Sequence, residues 1–375
     1  MGGTFVDISA GEDRTCGVRT GGELVCWGDE FGKPPGGRFV KVDVWDQRGA
    51  GNACAVGAGG ALRCWSRFRT GRDREVFGHD NDFGQADPPG GVFVDVSVGE
   101  RYACALRADG SAVCWGDNLG QSYGTAGQFE RWPKGALAVP EGPFSQVHAS
   151  MPPCGLRTSG EAACWSDQGR ALMSEWARGD DGVFFDERWT LISTGWGYQP
   201  IDFRGPETPL MVCGIRADAT MDCHSDRLGF SDGRYAGSYG SSGLHLLADD
   251  PDWLDRHGGF AAVDYGSDPV CALLADRTIT CSGTRRFREY NVYGWHDAVI
   301  DPPDGEFVQV AVGRVHACAI RTDGTVACWG NNSDRPVKCC PDIWLDSAYR
   351  GDPRMDAALP VLLARVLPPE QRQVA

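Results

Sequence analysis

The chain has 375 residues, of which 42% are apolar and 23% charged, the balance of a folded globular protein rather than a disordered one. Asp and Glu outnumber Lys and Arg by 51 to 36, and the net charge of −15 argues against a broad phosphate-binding surface for nucleic acid. No apolar run approaches the ~20 residues that would span a bilayer as a helix.

From the start of the chain, one pattern repeats. Phe5 opens a stretch over 5–28 in which Cys16 and Cys26 are ten residues apart. The same gap recurs at Cys54 and Cys64, Cys104 and Cys114, Cys154 and Cys164, Cys213 and Cys223, Cys271 and Cys281, and Cys318 and Cys328. Successive first members are 38, 50, 50, 59, 58 and 47 residues apart. A fixed kernel with a variable period reads as fixed strands joined by variable loops. The kernels fall near 5–28, 39–66, 93–116, 144–166, 189–224, 260–282 and 307–330, with a closing segment over 331–375. An aromatic opens each kernel, Trp189 standing where the others have Phe. Trp follows the second cysteine in five copies, whereas His224 and Ser282 replace it in the fifth and sixth.

Within a kernel, β-rich runs of four to six residues are broken by turn signals. In the third copy, Ala108-Asp109-Gly110 reads as a three-residue loop with Gly110 in the left-handed position, which sets Cys104 opposite Cys114. Asp323-Gly324 and Gly21-Gly22 give the same register. Opposed residues have Cβ atoms ~4.5–5.5 Å apart, within adjustment of a disulfide. Seven such bridges are the reading adopted; the alternative is seven pairs of small buried thiols packed between sheets. Cys339 and Cys340 stand outside the scheme. Seven antiparallel units of about 50 residues imply an all-β fold, a seven-bladed β-propeller with four-stranded blades, in which neighbours supply one another's core. Links such as PPGGRFVKV from Pro34 end in Pro-rich turns ahead of the aromatic. The chain ends near Pro368-Pro369, at the point where GGTFVDIS begins. One blade is therefore expected to be closed by both termini.

The kernel resembles the repeat of the regulator of chromosome condensation family. The residues that carry it are Gly99, Ala105, Leu106, Asp109, Gly110, Trp115, Gly116, Asn118, Gly120 and Gln121 in the third copy. In the last copy they are Gly313, His316, Ala319, Ile320, Asp323, Gly324, Trp329, Gly330 and Asn332. The paired-cysteine form is most similar to bacterial members and to the extracellular propellers of plant receptor kinases. The resemblance implies a seven-bladed propeller whose theme is protein binding through loops. No active-site residue of the family maps onto this chain, and fold alone does not give function.

Candidate sites come from variation between copies. The connections from the Trp position to the next aromatic hold 11, 27, 28, 23, 35 and 24 residues. The insertion between Ser66 and Asp80 carries Arg67, Phe68, Arg69, Arg72 and Arg74, a basic patch with an aromatic in an acidic protein. The other reading is a solvated loop whose arginines pair with nearby Asp. The insertion between Gly195 and Cys213 holds Trp196, Tyr198, Pro200 and Phe203, either interface anchors or rings packed under the loop. The stretch from Ser225 to Gly259 gathers Asp249, Asp250, Asp252 and Asp255 without an EF-hand spacing, so it reads as solvated acids. His316, ahead of its cysteine, is read as framework. No nucleophile elbow, phosphate loop or zinc-protease motif is present.

The expected function is a non-enzymatic interaction module binding a protein partner through Arg67, Phe68, Arg69, Arg72, Trp196 and Tyr198. No cofactor, metal, nucleic acid or membrane is expected, and the protein is expected to be a monomer. The alternatives are a guanine-nucleotide exchange regulator of a small GTPase, an inhibitor of a secreted enzyme, or carbohydrate binding. Paired cysteines favour an extracellular or periplasmic location. The first repeat begins at Phe5 with no signal peptide ahead of it, which favours the cytoplasm instead.

Overall fold

The computed structural model describes residues 3–11, 14–28, 33–47, 50–67, 84–99, 101–117, 135–150, 152–165, 188–196, 210–225, 253–266, 270–282, 302–313 and 316–330. They form seven antiparallel three-stranded sheets, each built from consecutive strands. The first holds β1 (Phe5–Ala10), β2 (Arg14–Arg19) and β3 (Leu24–Gly28); the second β4 (Phe39–Gln47), β5 (Ala50–Gly57) and β6 (Leu62–Arg67). The third holds β7 (Asp95–Val98), β8 (Tyr102–Leu106) and β9 (Ala112–Gly116); the fourth β10 (Phe144–His148), β11 (Cys154–Arg157) and β12 (Ala162–Cys164). The fifth holds β13 (Leu191–Trp196), β14 (Leu210–Ile215) and β15 (Met221–Ser225); the sixth β16 (Phe260–Tyr265), β17 (Val270–Leu274) and β18 (Ile279–Ser282). The seventh holds β19 (Phe307–Val312), β20 (His316–Arg321) and β21 (Val326–Gly330). These are the blades of a seven-bladed propeller. The fourth strand expected of each blade is not among the described residues, and the closing segment 331–375 lies outside them.

The cysteine spacing sets the register as read from sequence. Cys104 faces Cys114 across β8 and β9, and Arg107 N donates to Ser111 O, closing the loop Ala108-Asp109-Gly110. All seven cysteine pairs are disulfides. Each closes a short hairpin, worth about 2–3 kcal/mol at most in the chain-entropy picture. They are also core residues. Cys54 packs with Phe93 and Val96 of the third sheet, and Cys213 with Phe260 and Val263 of the sixth. A three-stranded blade is too thin to bury both faces, so the cores lie between blades rather than inside them.

One hydrogen bond defines each seam. The carbonyl at the third loop position of a blade accepts the amide of the aromatic that opens the next. Gly22 O thus accepts from Phe39 N, Gly60 O from Phe93 N, Gly110 O from Phe144 N and Gly160 O from Trp189 N. Ala219 O and Arg277 O do the same for Phe260 N and Phe307 N, and Gly324 O accepts from Phe5 N at 2.8 Å. The last of these brings the seventh sheet against the first. To present that carbonyl the loop residue must be left-handed, with φ of 82° to 89° at the five glycines. Ala219 and Arg277, in the two degenerate copies, adopt the same conformation at φ 63° and 70°. The residue that faces this position at the glycine seams, the one before the next aromatic, is after Ala219 itself a glycine, Gly259. At Gly324, by contrast, a Cβ would sit 2.7 Å from Thr4 Cβ.

The sixth copy also shows how a lost framework residue is replaced. Phe5 lies 6.0 Å from Trp27 and Phe144 lies 5.9 Å from Trp165, centroid to centroid. Ser282 offers no such ring to Phe260. Trp253, on the short helix α1 (Trp253–Arg256) ahead of the blade, sits 5.9 Å from Phe260 and is buried with it, its Nε1 donating to Thr280 Oγ1 at 2.9 Å.

Two substitutions at equivalent loop positions should therefore move stability in opposite directions. Gly324→Ala combines a left-handed backbone with a clash and should cost about 2 kcal/mol. Ala219→Gly relieves a left-handed alanine, with part of the gain offset by unfolded-chain entropy, and should add about 0.5–1 kcal/mol. Denaturant melts of both variants check this; a destabilised Ala219→Gly would contradict it.

Candidate functional site

Because the seam bonds repeat in one sense, all blades present the same edge to the same end of the ring. One end carries the short hairpins that hold the left-handed residues. It is regular: Arg107 and Arg157 each lie 5.0 Å over Phe93 and Phe144, and Arg157 and Arg321 donate to the carbonyls of Glu141 and Asp304. The other end carries the junctions from first to second strand and the exits of third strands. Arg67 ends β6, paired with Gly51, and Trp196 ends β13, paired with Leu210. Both terminate their strands at this second end, so the two insertions singled out in the sequence leave the ring on one side. Phe68, Arg69, Arg72, Tyr198 and the acidic run Asp249, Asp250 and Asp252 lie outside the described residues.

Side chains lock the seams beneath that end. Asn52 Nδ2 donates to Gly99 O at 3.2 Å, joining the second and third blades. The Tyr102 hydroxyl donates to Ser150 O, and Thr194 Oγ1 donates to Ser150 Oγ at 2.8 Å, tying the third, fourth and fifth blades together. Thr15 Oγ1 lies 2.9 Å from His316 Nε2 at the seam of the seventh and first blades. His316, read from sequence as framework, is buried here. A buried ion pair, Arg101 Nη2 to Asp117 Oδ2 at 2.8 Å, fixes the entry of β8 to the exit of β9.

Between the two ends runs a layered polar lining that the sequence reading missed. The first strand of each sheet is its inner edge, and its outward amides need partners that the sheet does not provide. The residue two places after the opening aromatic caps the next blade: Asp7 Oδ2 accepts from Val42 N at 2.7 Å and Gln146 Oε1 from Ile192 N at 2.9 Å. The residue four places after it does so one step further along. Ser9 Oγ accepts from Val44 N, Asp43 Oδ2 from Val98 N, Ser97 Oγ from Ala149 N and Asp264 Oδ2 from Val312 N. Gln309 Nε2 donates to Asp7 Oδ1 and Ile8 O, both at 3.0 Å, across the seam of the seventh and first blades. The signal was present as alternation of polar and aliphatic residues along each first strand. Its meaning was not, because each cap serves the neighbouring repeat.

Enclosure by the ring perturbs these groups. Although part of each side chain faces the axial space, the surrounding strands exclude most solvent. Burial raises Asp7 above the usual carboxylate range and pushes Asp43 up to about 6 and Asp264 up to about 7. Burial works to lower Lys41, but the carboxylates of Asp95, Asp7 and Asp43 outweigh it and hold the ammonium above its ordinary pKa; its Nζ lies 3.4 Å from Asp95 Oδ1. His148 is driven down to about 4, mainly by burial, and is neutral at physiological pH. Among the described residues, no group of three or more His, Cys, Asp or Glu side chains could hold a metal ion. None of the described helices is long and apolar enough to cross a membrane.

The family model for the regulator of chromosome condensation (RCC1) repeat matches residues 5–31, 93–124 and 307–335. The chain carries repeats of the regulator of chromosome condensation family. The matched copies are the first, third and seventh, in which glycine follows the framework Trp as Gly28, Gly116 and Gly330, where the second and fourth copies have Ser66 and Ser166. No curated protein matches the sequence. Among solved structures, the chain is similar to the CRINKLY WD40 ectodomain of the Arabidopsis thaliana receptor kinase ACR4, with 17% identity, TM-score 0.52, and coverage of 89% of this chain and 96% of that one. It is similar also to human WBSCR16, with 11% identity, TM-score 0.50, and coverage of 84% and 85%. At these identities the likeness is one of fold.

Gln309 joins the seventh blade to the first, which are not consecutive in the sequence. Gln309→Leu should remove both of its hydrogen bonds and leave two enclosed acceptors short of a donor. The expected cost is about 1–3 kcal/mol in a denaturant melt. An unchanged midpoint would show that this seam does not depend on the pair.

Proposed function

We propose that the protein is a non-enzymatic docking module whose protein partner binds the loop-bearing end of the propeller, with contacts from Arg67, Phe68, Arg69, Arg72, Trp196 and Tyr198. The observation that carries this reading is that Arg67 and Trp196 end their strands on the same side of the ring, so both insertions can reach one partner. The locked seams below them favour binding: a rigid platform confines the ordering cost to the loops themselves. An arginine cluster with an aromatic beside it suits a partner surface that is acidic and carries an apolar pocket.

An extracytoplasmic setting is part of the proposal. Seven disulfides persist in an oxidising compartment and are out of place in a reducing one. The similar Arabidopsis propeller is a receptor-kinase ectodomain, in line with that placement.

The test is affinity capture with the native, disulfide-bonded protein, followed by titration of the captured partner. Trp196→Ala, and separately Arg67→Glu with Arg69→Glu and Arg72→Glu, should each weaken binding at least tenfold. Arg38→Glu, at the opposite end, should leave affinity unchanged. Loss of binding with Arg38→Glu and retention with the loop variants would place the partner on the wrong end for this reading.

A further inference from the structure

The caps of the axial lining fall into two chemical kinds. Ser9, Ser97 and Gln146 are neutral at every pH the protein meets, whereas Asp7, Asp43 and Asp264 are ionisable and sit in the same structural role. We propose that two of the three carboxylate-capped seams, those between the second and third blades and between the sixth and seventh, are pH-responsive joints; the remaining carboxylate cap, Asp7, shares its seam with the neutral cap Ser9.

The groups around each joint differ. Asp43, on β4, takes the Ser9 hydroxyl from β1 at 2.7 Å and the Val98 amide from β7 at 2.7 Å. Lys41 on its own strand attracts its charge, and Asp95 on β7 repels it. Among the described residues, Asp7 on β1, His148 on β10 and Asp264 on β16 are the other titratable groups around the axis, with Asp95 acting on Asp7 and on His148. Asp264, on β16, has less to offset it. The strands on either side, β13 and β19, bring Leu191, Ser193, Gln309 and Ala311 to the axial positions, none of them charged. Its Oδ2 accepts from Val312 N at 2.7 Å, and Ser193 Oγ lies 3.4 Å from Oδ1, at the long limit of a hydrogen bond. Repulsion from Asp43 adds to the burial penalty on its charge.

The sign follows from linkage. An acid whose pKa is raised by folding binds more protons in the closed ring than in the opened one. Its stabilising contribution is complete below about pH 4, the value for a solvated Asp, and is lost as pH rises through the folded value. For Asp43 the loss spans about pH 4 to 6 and for Asp264 about pH 4 to 7. His148 acts in the opposite sense. Its depressed pKa keeps it neutral in the closed ring, and its contribution is lost as pH falls from about 6.5 to about 4. Between pH 5.5 and 8 the seams capped by Asp43 and Asp264 therefore loosen towards the alkaline side, whereas His148, beside Ile192, makes its own seam firmer as pH rises through the lower part of that range.

The capped amides report each seam separately. Hydrogen exchange of the full-length, disulfide-bonded protein, corrected for intrinsic rates, would be followed at Val98, Val312, Ala149 and Ile192 from pH 5.5 to 8. Protection should fall by about fourfold at Val98 and about thirtyfold at Val312, by less than twofold at Ala149, and should not fall at Ile192, where His148 acts in the opposite sense. Asp264→Ser places at this seam the cap that Ser97 provides at another, and should hold Val312 protected with a flat pH response; Asp264→Asn serves if the serine variant does not fold. A parallel fall at all four amides, constant protection at Val312, or an unchanged pH response in the variants would each overturn the proposal.

Discussion

Everything in this ring depends on one hydrogen bond, from the amide of an opening aromatic to the carbonyl of a left-handed loop residue in the blade before it. The bond is short-range in space and independent of the intervening sequence, so it tolerates connections from 11 to 35 residues. It demands only that the loop residue turn left-handed and that the aromatic arrive at its carbonyl. Five copies meet the first demand with glycine. The other two meet it with Ala219 and Arg277, at a conformational cost that the rest of the seam sustains. Disulfides do not hold blade to blade. They fix each hairpin, so that the loop carbonyl and the core face are already placed when two blades meet.

A second set of bonds follows from the first. Once the inner strands stand side by side, each leaves outward amides towards the axis, and an amide there must be capped or solvated. Residues two and four places after the aromatic provide the caps, always from the preceding blade. This is why the first strands alternate an aliphatic residue, which enters the core between blades, with a polar one, which faces the axis. Serine, glutamine and aspartate all satisfy the geometry, but they differ in charge. That difference concentrates Asp7, Asp43 and Asp95 around Lys41, while Asp264 meets only repulsion from Asp43 and no offsetting cation among the described residues.

Much of the fold was legible because cysteine spacing and turn glycines are local signals. A gap of ten with Asp109-Gly110 in the middle fixes register within one hairpin, and Cys104 does face Cys114. What was not legible involved partners outside the repeat. Trp253 belongs to no repeat position, yet it fills the place left by Ser282 because a helix from the preceding link delivers it. The axial caps appeared as ordinary polar positions of half-buried strands, since each caps the following copy, 35 to 55 residues away. For the proposed contacts, Arg67 and Trp196 gained a side of the ring from the ends of β6 and β13. The loop residues beyond them carry no register signal that sequence could supply.

The central claim is that the seam between the seventh and first blades, which are not consecutive in the sequence, is equivalent to the other six. Residue-resolved hydrogen exchange of the seven aromatic amides, Phe5, Phe39, Phe93, Phe144, Trp189, Phe260 and Phe307, tests it directly. The account predicts that Phe5 is as strongly protected as the other six. Rapid exchange at Phe5 beside six protected amides would show that the ring is held by its chain connections and not by the seam bond, and would contradict it.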